Sequence, residues 1–111
     1  MAGRIRKVFE IRIADNVRTV VVFYREKKRI TDFVAVLEAR GEILNLRTDE
    51  WVQVLRFDTA HGYPHMDKLD KFGNKKSTIK FDYLSNEEAL SMAVDFLKEN
   101  YEVFIEEFKN A

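Results

Sequence analysis

Cysteine is absent from the 111-residue chain, and proline occurs once. Without cysteine there is no disulfide framework, no thiolate metal site and no thiol nucleophile, so stability must come from the core alone. Long apolar runs are also missing. Charged residues make up 34% of the chain and interrupt every apolar stretch well before bilayer length. No signal-peptide apolar stretch follows Met1-Ala2-Gly3-Arg4, so a cytoplasmic protein with no membrane partner is expected. A Gly-rich phosphate cradle, a GxSxG elbow and an HExxH pair are absent too, which removes the enzyme classes those motifs carry. The length fits one domain, residues 1–111, and excludes two-domain enzymes.

What is present begins with a charge gradient beneath a net charge of zero. Residues 1–47 hold 11 Lys or Arg against 6 acids (+5), residues 48–82 hold 6 and 6, and residues 83–111 hold 2 against 7 (−5). A basic half can follow phosphates. The plainer reading is that the acidic end lies beside the basic end and the two neutralise each other on folding.

Arg4 to Ile13 alternates, with Ile5, Phe9, Ile11 and Ile13 opposite Arg4, Arg6, Glu10 and Arg12, as a strand with one wet face requires. Val17 to Arg25 is β-branched and aromatic on both faces, which predicts a strand inside the sheet, covered on both sides. The charged run Arg25-Glu26-Lys27-Lys28-Arg29 reads as a hairpin end, followed by strands near Phe33 to Ala39, Ile43 to Leu46 and Trp51 to Phe57. Trp51, Leu55 and Phe57 are expected on one face. Turns this short require antiparallel neighbours. Asp58 to Lys76 shows no sustained period and reads as a long loop, after which Ser77 to Tyr83 resumes alternation with Ile79, Phe81 and Tyr83 inward.

Ser85-Asn86-Glu87-Glu88 has the form of a capping box opening a helix from about Asn86 to Lys109. Its stripe of Leu90, Val94, Leu97, Tyr101, Phe104 and Phe108 steps by fours and threes, as one buried helix face does. The fold class expected is therefore α+β, an antiparallel meander of five to six strands with one long C-terminal helix on one face. Met92, Phe96 and Val103 lie further round that helix. Either a curved sheet wraps them, or they are spare and bind a second copy or another protein.

Both histidines fall within Asp58-Thr59-Ala60-His61-Gly62-Tyr63-Pro64-His65-Met66-Asp67. An imidazole titrates near neutral pH, and two held close can divide the roles of acid and base. Asp58 could orient one ring, while Gly62 and Pro64 could shape the turn. Three readings stay open: polar residues that only fasten the loop to the sheet; a metal site of His61 and His65 with Asp58 or Asp67, suited to zinc, manganese or nickel; and metal-free acid–base work with Arg56 on a phosphate, such as RNA cleavage through the 2′-hydroxyl.

Arg56-Phe57-Asp58-Thr59-Ala60-His61 followed by Pro64-His65 resembles the core of the TumE-like proteins, toxin components of prokaryotic toxin–antitoxin pairs. The match spans about ten residues, and this chain differs in having only two histidines and a long acidic helix. The resemblance implies an RNA-directed, growth-inhibiting protein neutralised by a cognate antitoxin, with Arg56, Asp58, His61 and His65 as candidate catalytic residues. In that form it would be a metal-independent ribonuclease needing no cofactor. Tyr24 with Arg25, Lys27, Lys28 and Arg29 is a candidate single-stranded RNA patch, or else a soluble hairpin tip that blunts edge pairing. The different-class alternative is a non-catalytic module that binds a partner, or itself as a homodimer, through the acidic helix.

Overall fold

A computed structural model describes residues 3–110. Six strands, β1 (Ile5–Ala14), β2 (Val17–Glu26), β3 (Arg29–Arg40), β4 (Trp51–Asp58), β5 (His65–Leu69) and β6 (Lys75–Lys80), form one sheet in sequence order, every neighbour antiparallel. One helix, α1 (Asn86–Lys109), follows. The fold is the expected α+β meander with a single C-terminal helix. Its start is the expected capping box, in which Ser85 Oγ accepts from the Glu88 backbone N–H at 3.1 Å and the Glu88 carboxylate accepts from the Ser85 backbone N–H at 3.0 Å.

The core lies between α1 and one sheet face. Register places Val21, Ala35 and Phe57 side by side on that face, where Phe33, Leu37, Leu55 and Met66 join them against Leu90, Leu97, Phe104 and Phe108 of the helix. Burying such side chains stabilises the fold by roughly 1.5–3 kcal/mol each. Met92 and Phe96 pack against this core too, with Phe96 lying 6.0 Å from Phe57 and 5.5 Å from Phe104 between ring centroids. The sheet therefore covers most of the wider helix face, and of the second set only Val103, 55% exposed, stays outside.

Four local expectations are corrected. Ile43 to Leu46 is not a strand: Gly41–Leu44 forms a 3-10 turn that ends at Asn45 in the left-handed region (φ 62°). A side chain at Gly41 would collide with Thr48, so only glycine admits this close return of the chain. Trp51 does not share a face with Leu55 and Phe57. Leu37 pairs with Leu55 but Glu38 pairs with Gln53, so the extra residue, Val54, bulges and turns Trp51 to the opposite face. There Trp51 lies under the guanidiniums of Arg18 and Arg40, at 4.1 and 4.2 Å.

The stretch from Asp58 to Lys76 is not one loop, because β5 runs through its middle and β6 begins at Lys75. Its alternation is invisible in hydropathy because β5 buries His65 and Asp67 as well as Met66 and Leu69. Nor does Tyr83 point inward; it is 76% exposed, in the turn before α1, and Ile79 is exposed on the edge strand. Only Phe81 of that trio reaches the core, stacking on Phe57 at 5.9 Å. β2 lies inside the sheet as expected, with Val20, Val22 and Tyr24 half-buried on the face away from the helix.

Candidate functional site: a buried histidine–carboxylate cluster

Alternation along β4 and β5 brings four polar side chains to the sheet face opposite α1. Arg56 pairs with Asp67 and Asp58 with His65 in register, and residues two apart on a strand share a face. Asp58, His65 and Asp67 are all buried, the last two with no exposed surface. The Asp58 Oδ1 and Asp67 Oδ2 atoms lie 2.9 and 3.2 Å from His65 Nε2. Arg56, 30% exposed, holds the outer side, with Nε 2.9 Å from Asp58 Oδ2 and Nη2 3.5 Å from Asp67 Oδ2, and Lys75 Nζ is 3.5 Å from that same oxygen.

The cluster is held by well-formed hydrogen bonds on its periphery. Thr78 Oγ1 donates to Asp67 Oδ1 at 2.7 Å, and the Ala60 backbone N–H donates to Asp58 Oδ1 at 3.0 Å. His65 Nδ1–H, in the tautomer assigned by its partner, donates to the Tyr63 carbonyl at 3.3 Å. At the centre the bonding is poor. His65 Nε2, Asp67 Oδ2 and Arg56 Nε have no hydrogen-bond partner despite their close neighbours, because the N–H directions miss the oxygens. These contacts are ion pairs by distance only. A buried polar atom left without a hydrogen bond costs about 1–3 kcal/mol.

Burial would raise the Asp67 carboxyl, but the Thr78 hydroxyl and the charges of His65, Lys75 and Arg56 outweigh it and hold the group below its ordinary value. Asp67 is thus an anion in the folded chain.

His61 lies apart from this centre, on the exposed turn between β4 and β5, with its ring 5.2 Å from that of His65. Gly62 bends the turn at φ 82°, which glycine adopts readily. Tyr63 also packs on His65, at 5.8 Å, and Lys80 Nζ lies 5.4 Å from the Tyr63 ring. The structure therefore brings Arg56, Asp58 and His65 together, adds Asp67, and sets His61 above them. Asp67, Lys75 and Thr78 were not among the expected catalytic residues. The available signal was the Asp67 spacing, two residues from His65, which becomes meaningful once this segment is read as a strand.

The basic patch sits at the same end of the sheet. In a meander alternate connections share an end, so the β2–β3 turn, the β4–β5 turn and the start of α1 lie together. Thr59 Oγ1 joins them, accepting from the Phe33 backbone N–H at 3.1 Å and lying 3.4 Å from Asp32 Oδ1. Arg25, Lys27 and Lys28 are exposed at the tip, Arg29 pairs with Glu87 at 3.3 Å, and the Arg4 guanidinium covers one face of the Tyr24 ring at 4.5 Å. From Val34, opposite Asp58, β3 continues five residues to Arg29, roughly 17 Å at ~3.4 Å per residue. An open groove of about 830 Å³, lined by Lys68, Lys76, Glu102, Val103 and Glu107 among others, shares no residue with the cluster.

Fold and site together define a two-layer α+β domain with an ionic cluster buried on the sheet face that carries no helix. The chain belongs to the DUF7718 family, a domain of unknown function, whose model matches residues 4–111. No curated protein and no solved structure matches it. Among the described residues no helix is long and apolar enough to cross a membrane.

Proposed function

We propose that this protein is a toxin-like, RNA-directed protein that engages single-stranded RNA at the sheet end carrying His61. The observation that carries the reading is the placement of the histidine turn and the basic β2–β3 tip at one end of the meander. Exposed Arg25, Lys27 and Lys28 track the phosphate backbone, and partly exposed Arg56, on the outer side of the cluster, receives the phosphate. The resemblance of Arg56 to His61 and Pro64-His65 to the TumE-like core points the same way and supplies the second partner, a cognate antitoxin.

In this reading His61 is the one histidine that meets the RNA. It accepts the 2′-hydroxyl proton as that oxygen attacks phosphorus, and water protonates the departing 5′-oxygen. His65, wholly enclosed, is a positioning residue that supports the His61 ring and is itself set by Asp58 and the Tyr63 carbonyl.

The clean test is His61→Ala, because the residue is exposed and its removal leaves the buried cluster whole. Cleavage of single-stranded RNA, or growth inhibition on expression, should disappear while the melting curve stays unchanged. Equal behaviour of wild type and variant in both assays discards the reading. The alternative, a partner-binding module built on the helix, loses much of its motivation because Met92 and Phe96 are packed against the core.

A further inference from the structure

We propose that Asp58, His65 and Asp67 form a binding site for one divalent first-row transition ion of the Mn²⁺ and Zn²⁺ class. The inference is independent of whether RNA is the substrate. One nitrogen and two carboxylate oxygens, one from each residue, lie within 4.8 Å of one another. Around an ion with bonds of ~2.0–2.2 Å, adjacent donors stand roughly 2.8–3.6 Å apart. The separations from His65 Nε2, 2.9 and 3.2 Å, fall in that interval.

A second observation points to a ligand. His65 Nε2 and Asp67 Oδ2 are wholly buried, face each other and make no hydrogen bond. If Nε2 is bare, carboxylate oxygens at 2.9 and 3.2 Å crowd its lone pair; if it is protonated, it still forms a hydrogen bond with neither. A cation on the lone-pair axis, flanked by both oxygens, satisfies His65 Nε2 and Asp67 Oδ2 together. Arg56 Nη2 and Lys75 Nζ offset part of the negative charge but, each 3.5 Å from Asp67 Oδ2, leave that oxygen without a hydrogen bond.

The surroundings match those of metal ligands. A ligating histidine ordinarily donates its other ring N–H to a carbonyl or carboxylate, and ligating carboxylates are themselves hydrogen-bonded. Here Nδ1 faces the Tyr63 carbonyl, Thr78 donates to Asp67, and the Ala60 N–H donates to Asp58. Imidazole favours a transition ion over Mg²⁺ or Ca²⁺, and the two carboxylates keep Mn²⁺ within range. Three protein donors leave coordination positions for water or an anion.

The test titrates chelator-treated full chain with Mn²⁺, followed by electron paramagnetic resonance and by broadening of amide resonances. One ion per chain is expected, displaced by Zn²⁺ and not by a large excess of Mg²⁺. Broadening should centre on Ala60, His65, Met66 and Thr78 and spare the acidic helix residues Glu102 to Glu107. Asp67→Asn should weaken binding by about 100-fold or more, and Thr78→Val, on the exposed edge strand, by roughly tenfold. No binding of Mn²⁺ or Zn²⁺ at millimolar concentration overturns the site. So does broadening centred elsewhere, or unchanged affinity in the variants; if Asp67→Asn does not fold, Thr78→Val and the wild-type broadening decide.

Discussion

The two faces of the β4–β5 pair are buried to the same extent by opposite means. Phe57 and Met66 face α1 and are enclosed by apolar side chains, whereas Asp58 and His65, their immediate neighbours in sequence, face away and are enclosed by charge. Exclusion of water pulls the first pair inward and needs no particular partner. The second pair tolerates burial only because each group has ions beside it, and each is costly once a partner is removed. Burial by itself therefore does not distinguish a core from a site; the identity of the buried atoms does.

The comparison breaks first on the apolar side. Phe57→Ala should cost ~3–5 kcal/mol in denaturant unfolding, a large share of the ~5–15 kcal/mol of an ordinary domain, because Phe81 and Phe96 both rest on that ring. A loss below about 1 kcal/mol would mean that the helix side is not the principal core.

On the ionic side the sign depends on how many residues change. Asp67→Ala leaves Asp58 as the sole carboxylate beside His65 and Arg56, removes the acceptor of the Thr78 hydroxyl, and should cost about 3 kcal/mol. Replacing Arg56, Asp58, His65 and Asp67 together with apolar residues of similar volume should return stability to wild type or above, with RNA activity gone. Stability that falls further in the fourfold variant would show that the cluster is a net stabilising element and that the contrast between the faces is wrong.

The helix-covered face was largely legible in the sequence. The α1 stripe, the capping box and the alternation of β1 to β3 follow hydropathy, and the observed elements lie close to the predicted ones. What could not be read is the part where polarity and burial separate. β5 was hidden because His65 and Asp67 are buried, and Trp51 was assigned to the wrong face because a one-residue bulge at Val54 leaves no mark in composition. Arg56, Asp58 and His65 were visible as candidates from residue type alone. That His65 would be enclosed while His61 stays exposed depends on strand register across β4 and β5, which residue type does not encode.

Smaller effects sharpen the same contrast at the helix. Ser85→Ala removes one half of the capping box and should cost about 1 kcal/mol, read as a lower thermal midpoint. Glu87 is held below its ordinary carboxylate value, chiefly by the Ile30 backbone N–H at 2.8 Å and its own backbone N–H, with Arg29 assisting and burial opposing. It ionises at lower pH folded than unfolded, so its contribution is present above about pH 4.3 and is withdrawn as pH falls toward the folded value. Glu87→Gln should flatten the acid limb of the stability curve there; an unchanged limb would remove Glu87 from the account. Val103→Ala, at the exposed edge of the helix, should change stability by no more than about 0.5 kcal/mol.

The most direct measurement for the functional account is a titration of the full chain with a single-stranded RNA oligonucleotide, read by amide chemical shifts. The account predicts that shifts concentrate at one end of the sheet, in the β2–β3 tip from Arg25 to Arg29 and the turn from Thr59 to His65. The opposite end, with Asp15-Asn16, the Gly41 to Glu50 connection and the Asp70 to Asn74 turn, should stay unmoved. Shifts centred on that opposite end or on the acidic face of α1, or none at saturating RNA, would contradict it.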